Sequence, residues 1–432
     1  MFTWLKPAPV AKKQIAIGKQ HNVLYKYRLR ILISTILAYA LYYIVKSDFT
    51  LSSPYLTKID HLTKAEIGLV LSALAVSYGI GKFFMGIIAD RLNPRYFVAL
   101  GLIISSIFNL LFGYTNNYHI MFLLMIGVGV SQGIGAPCCQ KSLATWFDEK
   151  NLGTATSIWN TSHNIGSGTA SVIVGTIVTI LGVSNVKNIF LIPSLISIGM
   201  AFIVAWIGVD TPESVGLPPI KKEKNENIHH NKTLIALKEN VLKNPLVWSM
   251  CILNAFSYIL RYGIEDWLPI YLSSAKGFNT TSVSIAFSIF EYSAVPGTII
   301  LGLLSDKVLS GKRLPIIITT SLIVLLVVPC YMLAHTKLLI MIILSILGIC
   351  IYAQQVLIGI VIMDVLPIES VASGIGLSGF FGYAFGEVVA SYGIGSIVGK
   401  TNWNGGFIVV FISAFVCLSF FIYLNRKFKH SI

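Results

Sequence analysis

Apolar runs of about 20 residues follow one another along almost the whole chain, and this pattern limits the fold more than any other feature. A run of that length is what an α-helix needs to cross the hydrocarbon core of a bilayer. Of the 432 residues, 55% are hydrophobic and only 12% are charged. The chain is therefore predicted to be an all-α membrane protein without a large aqueous domain.

The number and spacing of the apolar runs predict twelve membrane spans. The predicted spans cover residues 29–49, 65–90, 96–114, 118–147, 153–181, 186–209, 246–272, 281–305, 314–335, 337–366, 371–399 and 405–424. Basic residues collect before the first span and after the last. Because lysine and arginine are enriched in cytoplasmic segments, both ends of the chain are expected in the cytoplasm, and the net charge of +14 has the same explanation.

The chain repeats itself at half its length. The turn GIIADR at Gly86–Arg91 returns as GLLSDK at Gly302–Lys307, 216 residues later. Such a parallel repeat is typical of transporters built from two similar bundles. The predicted organisation is a cytoplasmic arm at 1–28, a six-helix bundle at 29–209, a cytoplasmic linker at 210–244, a second six-helix bundle at 245–425 and a tail at 426–432.

The first span carries a polar stripe. Tyr39, Tyr42, Tyr43 and Lys46 lie at i, i+3, i+4 and i+7, so they are predicted to share one helix face. A lysine deep in a span costs roughly 2.5–3.5 kcal/mol on insertion scales. It therefore needs a water-filled cavity or a protein interior, where phenol rings and hydroxyls can solvate it. The stripe is predicted to form one wall of an anion site.

Arg261 occupies the position in the seventh span that corresponds to Lys46 in the first. Two cations that face one cavity repel each other unless an anion lies there. The planar fork of arginine and the point charge of lysine suit a compact, doubly charged anion such as phosphate. The alternative is internal ion pairing, since Glu265 follows Arg261 by four residues and could neutralise it.

Other polar residues inside the spans leave two interpretations open. Lys82 either contacts the substrate or pairs with Glu291, and His163 either lines the cavity or has a packing role. The acids Asp364 and Glu387 either mark the polar ends of spans or couple transport to a cation.

Several function classes are excluded by what the sequence lacks. It has no Walker A motif, no nucleophile elbow and no plausible metal cluster, and its six cysteines have neither zinc-ligand nor disulfide spacing. Nucleic-acid binding is not expected, because no soluble basic face is available. We expect no cofactor, no metal and no enzyme activity, so that transport must use a gradient or an exchange.

Six motifs run through both halves: YALYYIVK, SYGIGKFFMG, DRLNPR, WNTSHNIG, LRYGIEDWLPIYL and EYSAVPGT. Together with the repeated turn they make the chain resemble the major facilitator superfamily. More specifically, it resembles the organophosphate:phosphate antiporters, which include bacterial glycerol-3-phosphate and hexose-6-phosphate transporters. The resemblance covers essentially the whole chain. It implies a functional monomer in the bacterial inner membrane that exchanges a phosphorylated metabolite for inorganic phosphate by alternating access.

The resemblance also implies roles for individual residues. Arg261 and a basic residue of the first span would hold the phosphate, with His163 and Lys82 in the same cavity. Tyrosines would line that cavity at Tyr39, Tyr43, Tyr78, Tyr258, Tyr352 and Tyr383. Structural or gating charges are expected at Asp90, Arg91, Asp306, Lys307, Asp266 and Glu291, the last as the acidic partner of Lys82.

The chain departs from the family pattern around the two cations. Lys46 replaces the arginine of the first span, which keeps the charge but loses the bidentate fork. Ser47 replaces the following lysine, and this removes the expected partner of Asp266. Glu265 stands where the family has an apolar residue. Weaker or altered phosphate recognition, or a different substrate, is therefore expected.

Two further functions stay open. Members of the family that sense sugar phosphates for a histidine kinase have the same architecture, and such a sensor would bind substrate but transport it poorly. A cation-coupled symporter of an organic anion would use Glu265 or Glu387 as a proton or sodium site. The substrate also stays open, because the tyrosines favour glycerol-3-phosphate and the run WLPIYL after Arg261 favours hexose 6-phosphate.

Overall fold

A computed structural model describes residues 3–59, 61–89, 91–182, 186–220, 237–309 and 312–427, and its regular elements are helices. In chain order they are α1 (Ile17–Ile59), α2 (Lys64–Ala89), α3 (Pro94–Phe112), α4 (Tyr118–Gln132), α5 (Gly135–Trp146), α6 (Glu149–Asn160), α7 (Ser162–Leu181), α8 (Lys187–Ile207), α9 (Pro245–Glu265), α10 (Leu268–Ser274), α11 (Thr280–Lys307), α12 (Leu314–Leu333), α13 (Lys337–Val365), α14 (Ile368–Phe381), α15 (Ile394–Lys400) and α16 (Trp403–Lys427). The predicted all-α fold is confirmed.

Asparagine marks the start of four helices. The Asn93 and Asn244 side chains accept hydrogen bonds from the first backbone N–H groups of α3 and α9, and a proline follows each. Asn117 and Asn279 cap α4 and α11 in the same way. A side-chain oxygen at this position satisfies an N–H that has no partner within the helix. Proline fits the first helical position because it lacks that N–H.

Ten stretches of the described residues are long and apolar enough to cross a membrane. The spans predicted at 246–272 and 371–399 are helical but interrupted. The first breaks between α9 and α10, and the second contains π-helical turns at Gly382–Glu387 and Val389–Gly393. Each of the twelve predicted spans thus has a helical counterpart. π-Turns inside helices are frequent at functional sites.

The first helix is much longer than predicted. It begins at Ile17 and ends at Ile59, whereas the apolar run predicted only residues 29–49. Its 43 residues correspond to about 65 Å, about twice the hydrocarbon thickness of a bilayer. The apolar pattern reports only the part that meets lipid or protein interior, so the polar extensions of the helix escaped it.

The chain divides into two compact units. Unit 1 contains Met1–Asp48, Ser77–Ala170 and Val186–Lys224, and unit 2 contains Phe49–Val76, Ser171–Asn185 and Asn225–Ile432. These units follow the sequence halves except at 49–76 and 171–185. The predicted bundle limits at 29–209 and 245–425 stay a prediction. Most of the predicted linker, residues 221–236, and residues 428–432 of the tail lie outside the described residues.

The same close helix contact occurs once in each unit. In unit 1, Gly166 of α7 lies against the Ala40 carbonyl and Tyr43 of α1. In unit 2, Gly386 lies against a carbonyl and a tyrosine of α9. A Cβ atom at either glycine would overlap these groups. Small residues of this kind let transmembrane helices approach closely, and the contact agrees with the internal repeat.

Gly166→Ala is expected to lower the thermal unfolding midpoint of the purified protein in detergent by several degrees, because overpacking costs about 1–3 kcal/mol. Gly199→Ala is the matched control, since an added Cβ there meets nothing within 4 Å. It should keep or raise the midpoint, as alanine favours helix by up to about 1 kcal/mol. Gly386→Ala and Gly379→Ala form the same pair in unit 2. Equal midpoints within each pair would contradict the packing argument.

Candidate anion-binding residues

Aromatic rings surround Lys46 in unit 1. Its Nζ lies 5.5 Å from the ring centroid of Tyr43 and 5.6 Å from that of Tyr78, which are cation–π distances. The Tyr39 hydroxyl is 3.3 Å from the Tyr78 hydroxyl, and its ring centroid is 5.2 Å from that of Tyr43. The structure therefore brings three predicted tyrosines and Lys46 into one cluster, which we call the Lys46 cluster.

Tyr42 does not belong to the Lys46 cluster, and its predicted place in the stripe was wrong. Its hydroxyl donates a hydrogen bond to the Val98 carbonyl of α3 at 2.8 Å, and its ring lies against Gly135. On a helix, positions i+3 and i+4 lie on opposite sides of position i and about 100° apart. The two side chains therefore point about 100° apart, and the contacts show that Tyr43 lies beside Lys46 whereas Tyr42 lies against α3 and α5.

His163 lies beside the Lys46 cluster. Its ring centroid is 5.3 Å from that of Tyr43, and its Nδ1 lies within hydrogen-bonding reach of the Asn160 carbonyl. Lys82 is half-buried on α2, one turn after Tyr78. The predicted roles of His163 and Lys82 in substrate binding stay predictions.

Arg261 is almost completely buried in unit 2, with 3% of its surface exposed. Its Cζ lies 4.8 Å and 4.4 Å from the ring centroids of Tyr262 and Tyr352. Its Nε donates to Glu265 Oε2 at 3.0 Å, and its Nη1 donates to Gln355 Oε1 at 3.4 Å. The ion pair with Glu265, which the sequence left as an alternative, is present. We call these residues the Arg261 cluster.

Tyr352 connects two buried acids near Arg261. Its hydroxyl lies 2.6 Å from Glu291 Oε1 and 3.4 Å from Glu265 Oε2. Glu291 is 0% exposed and Glu265 is 6% exposed. Two carboxyl groups therefore share the surroundings of one guanidinium. If both are ionised, the cluster carries more negative than positive charge and disfavours a bound anion.

The two clusters repeat an aromatic contact. Tyr43 packs on His163 in unit 1, and Tyr258 packs on Tyr383 in unit 2 with ring centroids 5.1 Å apart. In both units the first ring precedes the central cation by three residues on the same helix. The internal repeat thus places the predicted aromatic residues in corresponding positions, although their chemistry differs.

The break in the seventh span is held by hydrogen bonds. Asp266 Oδ2 accepts a hydrogen bond from Ser391 Oγ at 2.6 Å, and Trp267 Nε1 donates to the Ala390 carbonyl at 2.9 Å. Ser391 is therefore one partner of the acid whose expected lysine is absent. Glu387 is buried in the neighbouring π-turn. Its predicted role in cation coupling stays a prediction.

The repeated turn of unit 2 carries an ion-pair network. Arg313 Nη1 contacts Asp306, and its Nε lies 3.2 Å from Asp364 Oδ2. Partial burial by itself lowers the pKa of the Arg313 guanidinium, but the bonds to the two acids outweigh it and raise this pKa above its usual value. The sequence named Asp306 and Asp364 separately and did not identify Arg313 as their common partner.

The other charged residues of the two repeated turns were predicted as structural or gating charges, and that role stays a prediction. Arg91 and Lys307 are exposed, and Asp90 lies outside the described residues. In the first half, Lys141 Nζ donates at 2.9 Å to the carbonyl oxygen of Ala89, the last residue of α2, and at 2.9 Å to that of Leu92 in the following turn. Such a cation stabilises the C-terminus of a helix.

Sequence reasoning missed a buried acid in the first span, Asp48. It lies in α1 two residues after Lys46 and is 0% exposed. Its Oδ2 accepts a hydrogen bond from Asn109 Nδ2 at 2.9 Å. The signal was available, because an acid within the first apolar run is itself unusual. Neighbouring Ser47 turns the other way, and its hydroxyl donates to Ser167 at 3.0 Å.

Within the described ranges, no group of three or more histidine, cysteine or acidic side chains is placed to hold a metal ion. In the described residues none of the six cysteines forms a disulfide, and five of them are buried. The polar groups of the two clusters are cations, acids, phenols and amides. The cations can donate charge-assisted hydrogen bonds, whereas the acids oppose a second negative charge.

Comparisons with known proteins cover almost the full length. The Major Facilitator Superfamily profile matches residues 31–391. The glycerol-3-phosphate transporter of Bacillus subtilis (strain 168) is 37% identical over 437 residues, covering 97% of this chain and 97% of that protein. The phosphoglycerate transporter protein of Salmonella typhimurium (strain LT2) is 33% identical over 440 residues, covering 99% of this chain and 95% of that protein.

A solved structure shows the same fold. The inward-facing, occupied crystal structure of a bacterial homologue of the human lysosomal transporter Spinster aligns with a TM-score of 0.74. The alignment covers 94% of this chain and 98% of that one at 17% identity, so the likeness concerns the fold alone. Together with the relatives, it identifies a multi-pass membrane transporter and not an enzyme. The chain belongs to the Major Facilitator Superfamily, within its organophosphate:phosphate antiporter family.

Proposed function

We propose that this protein carries a phosphorylated small metabolite across the bacterial inner membrane in exchange for inorganic phosphate. It would act by alternating access, as a monomer with both chain ends in the cytoplasm. The relatives named for glycerol-3-phosphate and phosphoglycerate transport support this class of substrate. Glycerol-3-phosphate is the first candidate, and hexose 6-phosphate is the second.

The observation that carries the proposal is the burial of Arg261 among aromatic rings. Arginine stays charged in proteins, and burying it is costly unless it serves a partner. Glu265 binds its Nε, whereas the terminal nitrogens form the edge of the fork that suits two phosphate oxygens. Gln355 holds one of these nitrogens only at 3.4 Å, so a phosphate oxygen can replace this weak contact.

Lys46 would supply the second positive charge for the same substrate. It is surrounded by the ring faces and hydroxyls of tyrosines. These groups hold the ammonium in place and, unlike an acid, do not neutralise its positive charge. A lysine binds phosphate as a point charge, with less angular selectivity than an arginine. The first span is therefore expected to contribute affinity, and Arg261 to contribute the recognition of phosphate geometry.

Anion binding would also drive the conformational cycle. Enclosing two cations without an anion is unfavourable, so the empty carrier is expected to change conformation slowly. A ligand shifts such an equilibrium only through its different affinity for the two states. A phosphate group bound to both cations stabilises the closed state relative to the open ones, which makes exchange faster than net transport.

The direct test is exchange in proteoliposomes loaded with inorganic phosphate, with labelled glycerol-3-phosphate or glucose 6-phosphate outside. Uptake should require internal phosphate and reveal the preferred substrate. Arg261→Lys, which keeps the charge and loses the fork, should lower uptake at least about tenfold. Arg426→Lys, at an exposed position of α16, is the matched control and should leave uptake unchanged.

Other outcomes of this assay decide between functions. Substrate binding without uptake would contradict transport and favour the sensor. Uptake that ignores internal phosphate but follows an imposed proton or sodium gradient would contradict exchange and favour a cation-coupled symporter. Neither binding nor uptake of either substrate would show that the site recognises another anion.

Glu265→Gln is expected to raise the affinity for the phosphorylated substrate. The change removes a negative charge 3.0 Å from Arg261 Nε and keeps the shape of the side chain. A gain of about tenfold corresponds to about 1.4 kcal/mol. Glu239→Gln is the control, because that acid is exposed and pairs with Lys243. Calorimetric titration of the purified protein measures the effect, and unchanged or weaker binding in Glu265→Gln would contradict it.

Lys46→Arg is expected to strengthen binding of inorganic phosphate and to change the preference between glycerol-3-phosphate and glucose 6-phosphate. The larger planar group restores a fork but also occupies more of the space beside Tyr43 and Tyr78. Competition binding measures both quantities, with Lys19→Arg at an exposed position as the control. If affinity and preference are both unchanged, the lysine is not what alters phosphate recognition.

A further inference from the structure

Asp48 is a buried acid that the proposed exchange mechanism does not use. It is 0% exposed. Its Oδ2 accepts a hydrogen bond from Asn109 Nδ2 at 2.9 Å, and the same nitrogen lies 3.1 Å from Ser194 Oγ. Its Oδ1 makes no hydrogen bond with the residues that the structure describes. A fully buried carboxyl oxygen without a donor is rare in proteins.

Within the described part of the chain, the neighbouring helices bring no charged side chain into an ion pair with Asp48. The ionisable residues of α3 are Arg95 and Tyr96 in its first turn, about 20 Å along the axis from Asn109. The ionisable residue of α8 is Lys187 at its start, about 10 Å along the axis from Ser194. On α7, which contacts neighbouring Ser47, the ionisable residue is His163.

On its own helix, Asp48 has Lys46 two residues before it and Lys58 ten residues after it. Lys46 belongs to its aromatic cluster, and residues two apart on a helix lie on opposite faces. Asp48 makes no ion pair in the described ranges. A carboxylate buried without a cation is strongly disfavoured, and such a group becomes neutral by binding a proton.

Hydroxyl groups continue from Asp48 along the same interface. Ser105 and Ser106 precede Asn109 by one turn of α3, and Ser197 follows Ser194 by one turn of α8. Their hydroxyls are buried and make no hydrogen bond within the described part of the chain. Buried hydroxyls without protein partners are typical binding positions for water, and a chain of them can conduct a proton.

We propose that Asp48 is a proton-binding site of this protein and that it binds its proton together with the transported anion. The proton comes from water, adds to the carboxylate as an O–H bond at Oδ1, and returns to water by the reverse step. Ionised Asp48 partly cancels the charge of Lys46, whereas neutral Asp48 leaves that charge available to an anion. Proton and anion therefore favour each other's binding, and this linkage is reciprocal.

The coupling rests on the proposed role of Lys46, but the proton site itself does not. In the full-length purified protein at about pH 6, the infrared spectrum should contain a protonated-carboxyl component that Asp48→Asn lacks. Asp148→Asn, at an exposed helix start, is the control and should keep the band. An identical band in the wild type and Asp48→Asn would overturn the proposal, whatever the protein transports.

Calorimetric titration with glycerol-3-phosphate in two buffers of different ionisation enthalpy measures the protons taken up on binding. From about pH 6 to about pH 8, the wild-type affinity should fall about tenfold more than that of Asp48→Asn. The Asn variant retains the titration of the phosphate group itself, so the difference belongs to Asp48. Equal pH dependence and equal proton uptake in both proteins would overturn the coupling.

Asn109→Leu provides a second variant that retains the acid. It removes the amide that stabilises the carboxylate, so the pH at which the affinity falls should move upward. A purely structural role of Asn109 would lower stability without moving this pH. Sodium-dependent binding that is lost in Asp48→Asn would assign the site to a metal cation and overturn the proton. If no organophosphate binds the wild type, the proposed function fails while the infrared result still stands.

Discussion

The cost of placing charge inside a membrane protein governs the arrangement of both clusters. Insertion scales put it at roughly 2.5–3.5 kcal/mol for a lysine, arginine or aspartate at the centre of a span. Arg261 offsets this cost with Glu265 and two aromatic rings, all supplied at short range. Lys46 is only half-buried and lies beside tyrosine faces. Apolar residues would fold more cheaply at both positions, and the proposed phosphate ligand would explain why cations stand there.

The two halves share a scaffold but differ in chemistry. In each, a glycine allows a late helix to press against the tyrosine that precedes the central cation, at Gly166 and at Gly386. This contact depends only on the small size of the glycine, so the side chains next to it can differ between the two halves. Tyr43 faces His163, whereas Tyr258 faces Tyr383. A duplicated frame can thus carry different chemistry in its two copies.

The sequence predicted the spans well, because hydropathy over a whole helix averages out local errors. The predicted helix limits were wrong where a helix extends beyond its apolar part, as at both ends of α1. The stripe of Tyr39, Tyr43 and Lys46 was also predictable from helical spacing. Tyr42 was misplaced. Helical spacing puts Tyr42 and Tyr43 about 100° apart around the axis, but it does not tell which of the two side chains meets a neighbouring helix. Gln355 next to Arg261 was not predictable at all, because such a contact depends on tertiary packing.

Each central cation is followed by an acid on its own helix, and the spacing decides what that acid can do. Glu265 is four residues after Arg261, on the same face, so it bonds the guanidinium directly and would compete with the proposed anion. Asp48 is two residues after Lys46, so it turns away to Asn109 and acts on the cation only through space. Direct competition of this kind would reduce the affinity for the proposed anion. In the proposed coupling, Asp48 acts through space, so the affinity for the anion would depend on a proton that the substrate does not contact. The first arrangement tunes how tightly an anion is held, and the second can link its movement to a proton gradient.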